Sequence, residues 1–132
     1  MFIVKSKIMA TKFYKCARCG NVIVKMVDSG VPVVCCGEQM KELMANTVEA
    51  SVEKHLPHVT QCADGMLKIE IGSEHHSMSK EHNILFIYVE TAKGGIYVNL
   101  KNEPVAEVCV GNDKPVAVYG YCNLHGLWKK DL

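Results

Sequence analysis

The sequence predicts an all-β protein, a small metal-stapled unit followed by a β-sandwich. Three observations carry that expectation. From residue 58 onward, short apolar runs recur at a spacing of roughly ten residues with almost no helical periodicity. Turn-forming clusters separate the runs: Asp64-Gly65, Lys93-Gly94-Gly95 and Gly111-Asn112-Asp113-Lys114. Finally, four of the seven cysteines fall between residues 16 and 36, in a stretch too short to hold a fold by apolar burial alone.

Taken in order, residues 13–44 read as the stapled unit. Phe13-Tyr14-Lys15 leads into Cys16-Ala17-Arg18-Cys19-Gly20-Asn21, a strand end and a turn whose Gly-Asn supplies a positive-φ corner. Val22, Val24 and Met26 alternate as a short strand, Asp28-Ser29-Gly30 turns, and Val31 to Val34 runs into Cys35-Cys36-Gly37. Met40 to Ala50 reads as a connector with at most a short helical turn. Beyond it, 58–63 and 66–71 flank Asp64-Gly65 as a hairpin with a tight primed turn. Residues 72–81 are a histidine-rich loop, and 83–90 is the strongest strand of the chain. Strands over 96–100, 105–110 and 115–121 complete the pattern. The expected organisation is an extension over 1–12, a four-cysteine domain over 13–44, a linker over 45–50 and a sandwich over 51–132.

Composition narrows the class. The 132 residues carry a net charge of +1, which gives no sign of a nucleic-acid or membrane partner. Residues 1–46 hold seven basic against three acidic side chains and residues 47–132 eight against eleven, a shift consistent with a boundary there. No run of eighteen apolar residues exists to span a bilayer, and Met1 to Ile8 is too short and interrupted for a signal peptide, so a cytoplasmic protein is expected. Met9 is an alternative start. An odd number of cysteines, seven, argues against a closed disulfide framework and for metal binding.

Cys16, Cys19, Cys35 and Cys36 can give four thiolates to one tetrahedral ion. Adjacent cysteines start on opposite sides of an extended backbone, so Cys35 and Cys36 need a local turn, which Gly37 permits. Spacing alone leaves zinc and iron both open. A second set gathers from separate loops: His55, His76 or its neighbour His75, His82, and the Cys122-x-x-His125 pair. Copper is one candidate for such mixed ligation, but its usual downstream methionine is missing from Gly126 to Leu132. The other is non-haem iron with four imidazoles and one thiolate, five donors that leave one position open for chemistry. His58 is left unassigned, and Cys62 and Cys109, within expected strands, read as core residues.

These motifs resemble the desulfoferrodoxins, two-iron superoxide reductases. Tyr14-Lys15-Cys16, Cys19-Gly20-Asn21 and Cys35-Cys36-Gly37 are similar to desulforedoxin. Glu53-Lys54-His55-x-Pro57, Gly72-Ser73 with His76-x-Met78, Glu81-His82-x-Ile84 and Tyr121-Cys122-Asn123-Leu124-His125-Gly126-x-Trp128 are similar to neelaredoxin. The resemblance implies a desulforedoxin-like domain followed by an immunoglobulin-like β-sandwich. It implies two iron ions per chain, one held by Cys16, Cys19, Cys35 and Cys36. The other is held by His55, His76 rather than His75, His82 and His125, with Cys122 as the axial sulfur. Ser77 departs from the family's usual proline. Also implied are Glu53 and Lys54 as catalytic residues beside the iron, superoxide as substrate, a rubredoxin-like electron donor, a homodimer and the cytoplasm of an anaerobe. A non-catalytic iron or copper electron carrier is the rival expectation, and a structural zinc protein a third.

Overall fold

A computed structural model describes residues 11–48, 50, 52–72 and 75–132. The expected extension over residues 1–12 therefore lies almost wholly outside the described residues, as does Ser73 of the Gly72-Ser73 motif. The chain divides into two compact units between Met44 and Ala45.

The first unit is built from very short strands: β1 Phe13–Lys15, β2 Val22–Val24, β3 Val34–Cys35, β4 Glu38–Gln39 and β5 Lys41–Glu42. β1 sits between β2 and β5 in one sheet, while β3 and β4 form a separate hairpin. The strand at Lys41–Glu42 corrects the expectation of a featureless connector with a helical turn. Met40 is buried, and the two residues after it pair with Tyr14 and Lys15, so tertiary pairing decides a segment that lacks any period of its own. Met26, expected in the second strand, lies beyond its end and is exposed.

In the second unit a one-turn helix, α1 Val52–His55, precedes seven strands: β6 Pro57–Gln61, β7 Met66–Ile71, β8 Ile84–Thr91, β9 Gly95–Asn99, β10 Val105–Cys109, β11 Pro115–Cys122 and β12 Gly126–Asp131. They form two antiparallel sheets, ordered β10-β7-β6 and β12-β11-β8-β9. Leu67, Ile69 and Ile71 of β7 meet Ile84, Ile87 and Val89 of β8, with Val108 and Val118 closing the core. Among the described residues no helix is long and apolar enough to cross a membrane.

Two elements were not expected from the sequence. β12 follows the Cys122–His125 loop, and its Leu127-Trp128 is too short an apolar signal to read as a strand before its pairing with Tyr121 and Gly120 is known. The turn of helix at Val52–His55 places Glu53 and Lys54 on a helical rise instead of a strand end. Cys62 and Cys109 are also corrected. Both are exposed: Cys62 lies past the end of β6, at the start of the hairpin turn, and Cys109 follows the inward-facing Val108 on β10.

The Asp64-Gly65 hairpin has the expected primed character, with φ of 61° and 74°. A Cβ on Gly65 would lie 2.7 Å from Gly111 N, against backbone that cannot swing aside. Gly65→Ala should therefore cost about 2–4 kcal/mol, from left-handed strain and overpacking together. A fall in the urea midpoint with an unchanged slope would show it.

Candidate metal centres

The cysteine cluster begins with a knuckle closed by Cys16 N–H to Asn21 O (2.9 Å) and Gly20 N–H to Cys16 O (3.0 Å). Cys36 has a φ of 52° and Gly37 of 77°, which is the turn two adjacent cysteines need to face one ion. All four sulfurs lie within 4.8 Å of one another. Cys19 Sγ is 3.6 Å from Cys35 Sγ, and Cys35 Sγ 4.0 Å from Cys36 Sγ. A tetrahedron of thiolates about 2.3 Å from a central ion has edges of about 3.8 Å, so the set fits a metal of that kind. The backbone N–H of Cys19, 3.4 Å from Cys16 Sγ, brings that thiol down to about 6. Cys36 moves the other way, pushed up to about 12 by the thiols of Cys19 and Cys16, and Cys35 is also raised.

The second cluster sits at one end of the sandwich. His55 closes α1 ahead of β6, His76 follows β7, His82 precedes β8, Cys122 ends β11 and His125 lies in the turn into β12. Each neighbouring pair of rings around the circuit His55, His76, His82, His125 is edge-on, with centroids 4.7, 4.5, 5.0 and 4.8 Å apart. The diagonal from His55 to His82 is longer, 6.2 Å. His55 Nε2 stands 3.2 Å from His76 Nε2 and 3.1 Å from His125 Nδ1. Nitrogens about 2.1 Å from one ion at right angles would be about 3.0 Å apart. The donor atoms of His55, His76, His82 and Cys122 lie within 4.8 Å of one another, and His125 Nδ1 adjoins them, 3.8 Å from Cys122 Sγ.

Several details mark these imidazoles as ligands in waiting. His82 Nε2 is buried with no hydrogen-bond partner among the described residues, a cost of about 1–3 kcal/mol unless something ligates it. Burial holds His76 and His82 below the usual imidazole range, so both present neutral lone pairs. His76 Nδ1–H donates to the carbonyl of Ser77 at 2.7 Å, which fixes Nε2 as the free nitrogen. That contact uses only the backbone carbonyl, so it does not depend on the side chain of Ser77. His75 points elsewhere: its Nε2 lies 2.8 Å from Glu70 Oε2. Cys122 is fully buried and accepts the backbone N–H of His125 at 3.3 Å.

Residues quoted in the sequence motifs without a role turn out to brace this centre. Trp128 stacks on His55 (5.0 Å, 23°) and donates its indole N–H to His125 O at 3.1 Å. Asn123 accepts the Asn83 N–H (2.9 Å) and donates to Glu81 O (2.9 Å), tying the loop of His82 to the loop of Cys122. Glu53 and Lys54 are exposed, and the Lys54 charge is one of the influences that lower His82, after burial and His125.

Comparison with known proteins agrees with this architecture. The family model "Desulfoferrodoxin" matches residues 47–131, and "Desulfoferrodoxin, N-terminal domain" matches 10–44. A desulfoferrodoxin of Nitratidesulfovibrio vulgaris is 38% identical over 124 residues, covering 91% of this chain and 95% of its own. A desulfoferrodoxin homolog of Archaeoglobus fulgidus is 39% identical over 119 residues, covering 88% and 93%. The crystal structure of the superoxide reductase from Treponema pallidum superposes with a TM-score of 0.76 at 27% identity, covering 92% of this chain and 98% of that one. The four-cysteine set and the set of four histidines and one cysteine match the two iron centres of that family. With both family models matched in order along one chain, the protein belongs to the desulfoferrodoxin family.

Proposed function

We propose that the C-terminal centre is a superoxide reductase site, taking one electron and two protons per superoxide to give hydrogen peroxide. The observation that carries this reading is the donor count. Four imidazoles in a ring and one buried thiolate make five donors, one short of an octahedral set, which suits a reactive centre better than a structural one. Bound there, ferrous iron supplies the electron and the open position.

The residues of the chain supply the rest. Lys54 places a positive charge by the ring, drawing in the anion and helping to hold a proton-donating water. Glu53, two residues before His55 on α1, would be the carboxylate that helps to hold the oxidised metal at rest and gives way on reduction. Cys122, buried at the end of β11, would hold the metal through its thiolate and supply it with electron density, which would favour loss of an electron and release of peroxide with its O–O bond intact. A reductase consumes an outside electron at each turnover, so a rubredoxin-like carrier is the partner, and a homodimer in the cytoplasm belongs to the same reading.

Superoxide pulsed onto pre-reduced protein should give peroxide with no dioxygen. Dioxygen evolution would mark dismutation and overturn the assignment. Azide or cyanide should shift the spectrum of the C-terminal centre, whereas a pure electron carrier would leave it unchanged. Lys54→Ala should slow superoxide capture by about tenfold or more and flatten its dependence on ionic strength. Stopped-flow rates across a salt series measure this, and unaltered kinetics would remove Lys54 from the steering role.

A further inference from the structure

We infer a second, surface metal site on the outer face of the three-stranded sheet, formed by His58, Glu70 and His75 and suited to a borderline divalent cation such as zinc. His58 on β6 and Glu70 on β7 are direct cross-strand partners. Ile69 and Ile71 point into the core, so Glu70 between them points outward, and His58 is exposed beside it. His75 reaches down from the loop after β7 until its Nε2 is 2.8 Å from Glu70 Oε2. Two imidazoles and a carboxylate are a ligand set that zinc accepts while keeping a position for water.

None of these three belongs to the iron centre: His75 faces away from it, and His58 and Glu70 lie on strands beyond it. The two clusters already described are pre-closed; this one closes when the exposed His58 ring turns toward Glu70. His58 is close enough to act on the Glu70 carboxyl, which the hydrogen bond from His75 holds below the usual range. Lys68, on the same outward face, opposes a cation there and sets the affinity well below that of a structural zinc. A bound cation would take the place of the direct contact between His75 Nε2 and Glu70 Oε2. It would also pin the loop that carries His76 to two strands.

The test is calorimetric titration of Zn(II) into iron-loaded protein, with iron content and visible spectrum measured before and after. One zinc per chain should bind with iron retained. It should be lost in His58→Ala/His75→Ala and weakened at least about tenfold in Glu70→Gln, with the visible spectrum of both variants unchanged. Zinc uptake equal in the double variant, uptake only in exchange for iron, or no uptake by the parent protein would each overturn the site.

Discussion

Cys122→Ser should abolish the thiolate-to-iron charge-transfer band of the C-terminal centre while the four-cysteine centre keeps its colour. Superoxide reduction should fall by more than about a hundredfold, since loss of a group merely supporting a ligand already costs 10- to 100-fold. The side chain is fully buried at the end of β11, next to His125 Nδ1 and under the His125 N–H. Serine keeps the shape and can accept the same N–H, so the sandwich should fold. What disappears is the soft, electron-rich donor. An alkoxide-forming hydroxyl does not replace it near neutral pH, and the oxidised metal loses the ligand that stabilises it. Absorption spectroscopy, iron analysis and stopped-flow kinetics on one preparation separate these effects. Retained reduction at the parent rate, with iron bound and the band gone, would show that the thiolate contributes colour but not chemistry.

The donor atoms of this centre were legible because imidazole and thiolate are chemically conspicuous, and because His76, His82, Cys122 and His125 sit at the ends of expected strands or in the loops beside them; His55 lies on a helical turn that no pattern announced. The choice between His75 and His76 was not legible from spacing, since neighbouring residues on a loop have no fixed facing. It follows from two contacts, His75 to Glu70 and His76 to the Ser77 carbonyl. The bracing residues were hidden for a related reason. Trp128 and Asn123 act through a ring stack and through backbone groups of Glu81, Asn83 and His125, and none of those partnerships leaves a periodic trace. Alternation failed at Cys109 because an apolar-looking residue at a strand end takes whichever face the register assigns, and at Cys62 because β6 stops one residue earlier, leaving the thiol in the turn. β12 was missed because Lys129, Lys130 and Asp131 look like a solvated tail; they are strand residues paired with Tyr119, Val118 and Ala117.

Loss of the N-terminal metal should unfold residues 11–44 and leave residues 45–132 folded. In the first unit the buried apolar side chains among the described residues are Phe13, Cys16 and Met40, and each contributes only about 1.5–3 kcal/mol. Its strands are two or three residues long, and chains below about 40 residues need a staple. A structural metal held by thiolates is worth about 10–16 kcal/mol, enough to make folding and metal binding one event. The second unit has its own core of Leu67, Ile69, Ile71, Ile87, Val89 and Val118, and does not depend on that ion. Cys16→Ser/Cys19→Ser should therefore erase hydrogen-exchange protection across the first unit and preserve it across the second. Acid should act in the same direction. The depressed Cys16 thiol favours the folded loop above its ordinary range, and that contribution is lost as pH falls through about 6. Protons also compete with the metal for all four sulfurs, so the centre should bleach on acidification and not on mild alkalinisation. Protection of residues 11–44 that survives in the double variant would mean the strands hold themselves, and that the four cysteines serve electron transfer alone.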